Sequence, residues 1–147
     1  MRMRSLAFFI LIISLAGISP SCSKYPDGPA ISLRTKANRL VNDWILTSYL
    51  VNGVEIIDNQ PETKMVIDKD GTYSRHNSVN ILGQLQSVFE HGTWVFNGEK
   101  TSVLFLKDEE TLPVEYSIRE LRANKLVIQY YDKTTNKTYL STYTTDK

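Results

Sequence analysis

Beyond residue 42, dipeptides that favour tight turns divide the chain into short runs of β-branched and aromatic residues. Asp70-Gly71 and Asn97-Gly98 each stand between two such runs, and Asn52-Gly53 ends the first run. These pairs suit two-residue hairpin turns because glycine adopts a positive φ without steric cost. The sequence therefore predicts consecutive antiparallel hairpins.

The runs themselves have the composition and the alternation of β-strands. Alternation is clearest from Val114 to Arg119, where apolar and polar side chains take turns. Such strands suit an antiparallel sheet with one covered face. The predicted strands cover 44–51, 64–68, 72–76, 85–90, 92–96, 101–106, 114–121, 125–131 and 138–144.

Eight to nine strands joined by short turns leave two exposed edges unless the sheet closes on itself. Closure gives a small all-β, up-and-down antiparallel barrel, and a two-sheet sandwich is the alternative. The interior of an eight-stranded barrel is either filled by its own side chains or holds one small ligand. We therefore predict a barrel domain over 33–147.

One short helix is predicted before the barrel, over 33–41, with Ser32 as its N-cap. It spans about two turns and would be marginal alone, so it must lie against an apolar surface. The residues spaced to share one apolar face are Leu33, Ala37, Leu40 and Val41.

The first 21 residues have the anatomy of a secretory signal peptide. Arg2 and Arg4 precede an apolar stretch over 6–18. Thirteen helical residues span about 20 Å, which is short of the roughly 30 Å hydrocarbon core. The stretch is therefore predicted to be a cleaved signal rather than a transmembrane helix.

Two kinds of processing fit the end of this segment. An ordinary signal peptidase would cut after a small residue such as Ser19 or Ser21. The stretch also resembles a bacterial lipoprotein signal, in which Cys22 becomes the first mature residue and its sulfur takes a lipid. Ser19 and Pro20 depart from the usual lipobox and are similar to the looser boxes of Bacteroidetes-type lipoproteins.

The resemblance implies a lipoprotein of the bacterial cell envelope, held by palmitate or similar acyl chains on Cys22. The outer membrane is the expected membrane. Residues 22–32 would then form a tether, because Pro26, Gly28 and Pro29 oppose regular structure. The protein would contact the membrane only through its lipid.

Composition excludes several classes of function. From Cys22 onward the chain carries 15 basic and 16 acidic residues, so it lacks the basic footprint of a nucleic-acid-binding protein. A single cysteine excludes an intramolecular disulfide and any multi-cysteine zinc site. His76 and His91 are the only histidines, which leaves little for a histidine-rich metal centre.

The chain shows no motif for catalysis, for a cofactor or for a metal ion. Asp68 and Asp70 look like the start of a calcium loop, but the remaining ligands are missing and a hairpin turn is favoured. Glu90 and His91 are neighbours on a strand, so they point to opposite faces and cannot easily act as a relay. We predict a protein that is not an enzyme.

The order of these signals resembles that of lipocalin-like domains found in Bacteroidetes-type lipoproteins. The residues that carry the resemblance are 40–44 (LVNDW), 70–73 (DGTY) and 92–94 (GTW). Asn42 stands where the family has glycine, and asparagine tolerates left-handed backbone better than most residues. The resemblance implies that Trp44 closes one end of the barrel.

In lipocalins a basic side chain often packs across this tryptophan, where a cation over an indole face contributes about 0.5–2 kcal/mol. The sequence alone does not choose among four candidates. These are Arg34, Arg39, Arg119 and Arg122.

An aromatic pocket would suit a flat or greasy small molecule. The alternative is that the same rings fill the core completely. The candidate ligand-binding residues are Tyr73, Trp94, Phe96, Tyr116, Tyr130 and Tyr143.

Arg75 shares a strand face with Tyr73 and would lie inside the barrel if Tyr73 does. A buried arginine needs an anionic partner or a ligand. We favour the alternative, a position near the barrel mouth in water, because charged residues are seldom buried.

Two functions remain open. The first is non-covalent binding of a small apolar ligand in the barrel. The second is an interaction or adaptor module with a filled barrel, whose outer face or loops contact a protein or a glycan.

Overall fold

The computed structural model describes residues 25–27, 33–56 and 63–145. They form one short helix, α1 (Lys36–Leu40), and nine strands. The strands are β1 (Asn42–Val51), β2 (Val54–Glu55), β3 (Thr63–Ile67), β4 (Thr72–Ile81), β5 (Gln84–Phe96), β6 (Ser102–Lys107), β7 (Val114–Leu121), β8 (Lys125–Asp132) and β9 (Lys137–Thr145).

The sheet closes on itself, because β1 pairs antiparallel with β3 on one side and with β9 on the other. The strands from β3 to β9 pair in chain order, each antiparallel to the next. β2 is an extra two-residue strand that pairs only with the end of β1. The prediction of a small up-and-down antiparallel barrel with a short N-terminal helix is confirmed, and the sandwich is excluded.

The turn signals mark real hairpins. Gly71 and Gly53 both adopt a positive φ, of 91° and 82°. The Asn97-Gly98 turn connects β5 to β6, and the Asn97 side chain accepts hydrogen bonds from the backbone N–H groups of Thr101 and Ser102. Local turn chemistry therefore sets these connections.

The two predicted strands 85–90 and 92–96 are one continuous strand, β5. Gly92 lies inside it, opposite Tyr73 on β4. A Cβ atom on Gly92 would lie 2.1 Å from the Leu106 carbonyl oxygen and 2.8 Å from a ring carbon of Tyr73. Glycine therefore permits close packing at this position and does not end the strand.

Gly92→Ala is expected to lower the free energy of unfolding by about 1–3 kcal/mol, because backbone and ring must move apart to admit the methyl group. Gly98→Ala is the matched control, since a Cβ there meets no atom within 4 Å. Urea unfolding of the two variants measures the difference. Equal stability of both would show that the tight packing at Gly92 is misread.

The half of the barrel beside α1 is filled with apolar side chains. Trp44 is completely buried and its Nε1 donates to the Leu40 carbonyl oxygen at 2.8 Å. The indole therefore ties the helix to the barrel as well as filling this end. The largest completely buried side chains here are Trp44, Leu40, Met65, Ile67, Leu121, Leu126, Ile128 and Val103.

The helix is shorter than predicted and has a different cap. Its N-cap is Thr35, whose hydroxyl accepts from the Asn38 N–H at 3.2 Å. Leu33 is fully exposed and Ala37 is exposed, so of the predicted apolar face only Leu40 and Val41 pack against the core. The helix spans only five residues, and its buried side chains are Arg39 and Leu40.

Among the four candidate arginines, Arg39 is the buried one. Its Nη1 donates to the Leu121 carbonyl oxygen at 2.7 Å, at the end of β7. Asn42 is the first residue of β1, and its Nδ2 donates to the Ala123 carbonyl oxygen at 3.0 Å. These two hydrogen bonds therefore connect the start of the barrel to the end of β7 and to the turn that follows it.

Part of the predicted tether lies against the barrel. The Tyr25 ring is buried, and its hydroxyl donates to the Lys100 carbonyl oxygen at 2.8 Å. The Asp27 N–H donates to the Arg119 carbonyl oxygen at 3.1 Å. Residues 25–27 are therefore held at the filled end of the barrel.

The predicted signal peptide, its cleavage site and Cys22 lie outside the described residues. Within the described ranges, no helix is long and apolar enough to cross a bilayer.

Candidate functional site

Among the residues that the structure describes, the half of the barrel opposite α1 is not filled and contains a cavity of about 520 Å³. It opens where β1, β3, β8 and β9 approach the loops at this end. We call it the main cavity. Its walls are formed by Leu46, Tyr49, Thr63, Arg75, Asn77, Tyr116, Tyr130, Asp132, Tyr139, Ser141 and Tyr143.

Tyrosine rings follow one another around the wall of the main cavity. The ring centroids of Tyr116 and Tyr130 are 5.5 Å apart, and those of Tyr130 and Tyr139 are 6.0 Å apart. Tyr49 continues the series at 6.1 Å from Tyr139. Each ring also carries a hydroxyl group, so the wall offers apolar surface together with hydrogen-bonding groups.

A bulge in β1 brings two side chains of this strand into the cavity. Leu46 pairs with Tyr143, whereas the next paired residue, Ser48, faces Thr142. The extra residue shifts the alternation by one position. Leu46 and Tyr49, three residues apart, therefore both line the main cavity.

Three of the six predicted ligand-binding residues, Tyr116, Tyr130 and Tyr143, line the main cavity. Tyr73 instead lines a second, adjoining cavity of about 300 Å³. Trp94 and Phe96 line neither cavity.

Trp94 and Phe96 pack edge to face in the filled half of the barrel, with ring centroids 5.6 Å apart. The Trp94 Nε1 donates to the Asp68 carbonyl oxygen at 2.9 Å. Strand alternation correctly indicates which face a residue occupies, but it carries no information about depth along the barrel axis.

Arg75 points into the barrel, contrary to the favoured prediction of a solvated position at the mouth. Only 15% of its side chain is exposed, and Nη1 lies 3.2 Å from Glu90 Oε1. Arg75 and Glu90 are cross-strand partners on β4 and β5. The register therefore supplies the anionic partner that a buried guanidinium requires.

The Arg75 side chain separates the two cavities. Arg75 and Tyr116 line both of them, whereas Glu90 lines only the second. Glu90 Oε1 also accepts from the Tyr73 hydroxyl at 2.8 Å. Arg75 Nε is buried and has no hydrogen-bond partner in the described part of the chain.

The buried tyrosines of this region are neutral at physiological pH. Burial raises the pKa of Tyr116 and of Tyr143. For Tyr73, burial and then the hydrogen bond to Glu90 raise the pKa. Around Arg75, these side chains therefore present phenol hydroxyls rather than phenolates.

Stability is expected to fall as the pH rises above about 10, where unfolded tyrosine ionises. Burial raises the pKa of Tyr25 to about 12 in the folded protein. The stabilisation from a neutral Tyr25 is complete below pH 10 and is lost as the pH rises through 12. The other buried tyrosines act in the same direction.

Urea unfolding between pH 8 and pH 12 measures this decline. The Tyr25→Phe variant has no hydroxyl to ionise at this position, so its stability should decline less steeply with pH than that of the wild type. A decline that Tyr25→Phe does not alter would contradict the assignment.

The remaining polar candidates form no catalytic arrangement. His91 is exposed and lies on the face opposite Glu90, and His76 stacks on Phe89 at 4.7 Å. Asp70 accepts from the backbone and the hydroxyl of Thr72, as a turn residue does. Among the described residues, no group of three or more His, Cys, Asp or Glu side chains could hold a metal ion.

The hairpin of β4 and β5 exposes apolar side chains near the open end. Leu82 at its tip is fully exposed, and Phe89 is 65% exposed. Val88 is also exposed. Leu82 at the tip and Phe89, on the same strand face as His91, would suit contact with another molecule outside the barrel, whereas Val88 lies on the opposite face with Glu90.

No family model and no curated protein matches this chain. Solved structures with a similar fold include an odorant-binding protein from bovine nasal mucosa, with 17% identity and a TM-score of 0.50 over 80% of this chain and 77% of that one. The complex of bovine odorant-binding protein with undecanal matches over the same shares, with 17% identity and a TM-score of 0.51. The chain therefore has a lipocalin-like fold.

Proposed function

We propose that this protein binds a small, largely apolar organic molecule non-covalently in the main cavity. The observation that carries the proposal is the unfilled half of the barrel, a cavity of about 520 Å³ walled by tyrosines. Ligand sites are typically concave, mostly apolar and furnished with a few polar groups. The main cavity is concave, and its lining combines Leu46 and five tyrosine rings with five polar or charged side chains.

Burial of apolar surface would supply the binding free energy. A ligand that buries about 250 Å² of apolar area gains about 6 kcal/mol before the costs of association. The stacked tyrosines lose little conformational entropy, since a tyrosine has only two side-chain torsions and these rings already contact one another. The similarly folded bovine protein is recorded with undecanal and with its natural ligand, which supports the same use of the barrel here.

Titration with the uncharged dye N-phenyl-1-naphthylamine tests the proposal, together with native mass spectrometry of the purified protein for bound small molecules. Ser141→Trp places a large ring in the main cavity and should abolish dye binding. Val95→Trp adds the same ring on the exposed side of β5 and should leave binding intact. Circular dichroism verifies that both variants fold.

One dye per protein, lost only in Ser141→Trp, is the expected result. Dye binding that persists in Ser141→Trp would contradict the proposal. So would the absence of any bound molecule in both assays.

We further propose that the protein is a lipoprotein of the bacterial cell envelope, anchored through Cys22 and expected at the outer membrane. The packing of Tyr25 and Asp27 at the filled end supports a definite orientation. Two residues lie between Cys22 and Tyr25, so their Cα atoms are at most about 11 Å apart. An anchor at Cys22 would hold the filled end toward the bilayer and leave the main cavity facing away.

A second candidate function is an envelope interaction module that contacts a protein or a glycan. The exposed Leu82 and Phe89 of the β4–β5 hairpin favour it. The unfilled barrel favours ligand binding instead, because a pure interaction module has no need of a cavity.

A further inference from the structure

The inner end of the main cavity offers hydrogen-bond donors. Arg75 lines the main cavity with 15% of its side chain exposed, and its guanidinium remains protonated at all physiological pH values. The neutral hydroxyls of Tyr116 and Tyr143 line the same cavity. A charged donor strengthens a hydrogen bond to an oxygen, so a ligand oxygen placed against the exposed part of the guanidinium would gain a charge-assisted hydrogen bond there.

The charge of Arg75 is already balanced. Glu90 Oε1 lies 3.2 Å from Arg75 Nη1 on the side of the second cavity. That cavity also contains Lys107 and Glu110, one charge of each sign. Asp132 adds a carboxylate to the lining of the main cavity, where hydrogen bonds from Thr134 and Thr135 hold it in a turn.

We propose that the main cavity selects ligands that carry an uncharged hydrogen-bond-accepting oxygen, such as a ketone, aldehyde or ester, and that Glu90 discriminates against carboxylates. This inference rests on the proposed ligand binding and specifies its ligand class. Arg75 donates to the ligand oxygen, and Glu90 cancels the net positive charge that would otherwise attract an anion.

The discrimination depends on the balance of charge around Arg75, where little water is present. A carboxylate beside Arg75 would bring a second negative charge close to Glu90, and like charges in a partly buried site oppose each other's ionisation. It would also give up its hydration, which a guanidinium shared with Glu90 compensates only in part. Desolvation of a neutral carbonyl costs much less, and the carbonyl oxygen can still accept a hydrogen bond from the exposed part of the Arg75 guanidinium.

Three compounds of nearly equal shape separate these contributions. They are 2-acetylnaphthalene with a neutral acceptor, 2-naphthoate with a carboxylate, and 2-isopropylnaphthalene with neither. Each displaces N-phenyl-1-naphthylamine from the protein at pH 7.5. In the wild type, the ketone should bind about tenfold tighter than the hydrocarbon and about tenfold tighter than the carboxylate.

Glu90→Gln keeps an oxygen for Tyr73 and Arg75 but removes the negative charge. It should improve 2-naphthoate binding about tenfold or more and change 2-acetylnaphthalene binding little. The double variant Arg75→Met/Glu90→Gln leaves no unpaired charge and should reduce the preference for ketone over hydrocarbon to within about twofold. Urea unfolding checks that both variants fold.

Tighter binding of 2-naphthoate than of 2-acetylnaphthalene by the wild type would overturn the inference without any variant. An unchanged preference for ketone over hydrocarbon in the double variant would also overturn it. Either result leaves ligand binding itself intact, since the dye would still be displaced. Failure of all three compounds and of the dye would instead refute the proposed function.

Discussion

Replacing Trp44 with alanine is expected to lower the free energy of unfolding by about 3–5 kcal/mol, the usual range for emptying a buried aromatic site. The indole is completely buried and donates to the Leu40 carbonyl oxygen. Truncation therefore removes core packing and the link between α1 and the barrel. Chemical denaturation followed by circular dichroism measures the loss.

Two controls distinguish the stability lost through core packing from that lost through the hydrogen bond or through strand propensity. Trp44→Phe retains a ring and should lose less than Trp44→Ala, while still leaving the Leu40 carbonyl without its donor. Val95→Ala, at an exposed strand position, should change stability by no more than about 0.5 kcal/mol. A loss in Trp44→Ala as small as that of Val95→Ala would contradict the filled end of the barrel.

Replacing Cys22 with alanine is expected to transfer the protein from the membrane fraction to the soluble fraction. Cys22 carries the only thiol in the chain, so no other cysteine can take a lipid in its place. Each buried methylene contributes about 0.8 kcal/mol, and two or more acyl chains give stable anchoring. Their loss should release nearly all of the protein.

Cell fractionation and metabolic labelling with a fatty acid measure the effect. Ser21→Ala retains the thiol next to the same cleavage region and should stay labelled and sedimenting. Membrane association of Cys22→Ala that equals that of Ser21→Ala would mean that the lipid assignment is wrong.

The hairpins were predictable because their turns are local. Asp70-Gly71 and Asn97-Gly98 specify their own connections, and the strands on either side alternate visibly. Closure of the barrel was predictable for a general reason, because a long antiparallel meander otherwise leaves two edge strands unpaired. The β1–β9 pairing that closes the barrel joins residues about a hundred positions apart. No local sequence pattern predicts that pairing.

The turn between β4 and β5 was not predictable from the sequence. Leu82 adopts a positive φ of 53° there, which a leucine rarely does. Without this turn the predicted strands 72–76 and 85–90 have no register. Arg75 therefore could not be paired with Glu90, and its burial was missed.

Some of the residues that line the main cavity could be predicted from the sequence and others could not. The expected aromatic pocket correctly included Tyr116, Tyr130 and Tyr143, but the β1 bulge that admits Tyr49 is not visible in the sequence. Tyr139 alternates with Ser141 and Tyr143, so that signal was present and was not used.

Nuclear magnetic resonance of the protein titrated with 2-acetylnaphthalene tests the central claim, that the open half of the barrel holds the ligand. The account predicts saturable shifts of the Leu46 methyl and Tyr143 ring signals, while the signals of Leu40 and Leu126 at the filled end stay unchanged. Shifts confined to Phe89 and its neighbours on the outer hairpin, with Leu46 and Tyr143 unaffected, would contradict it.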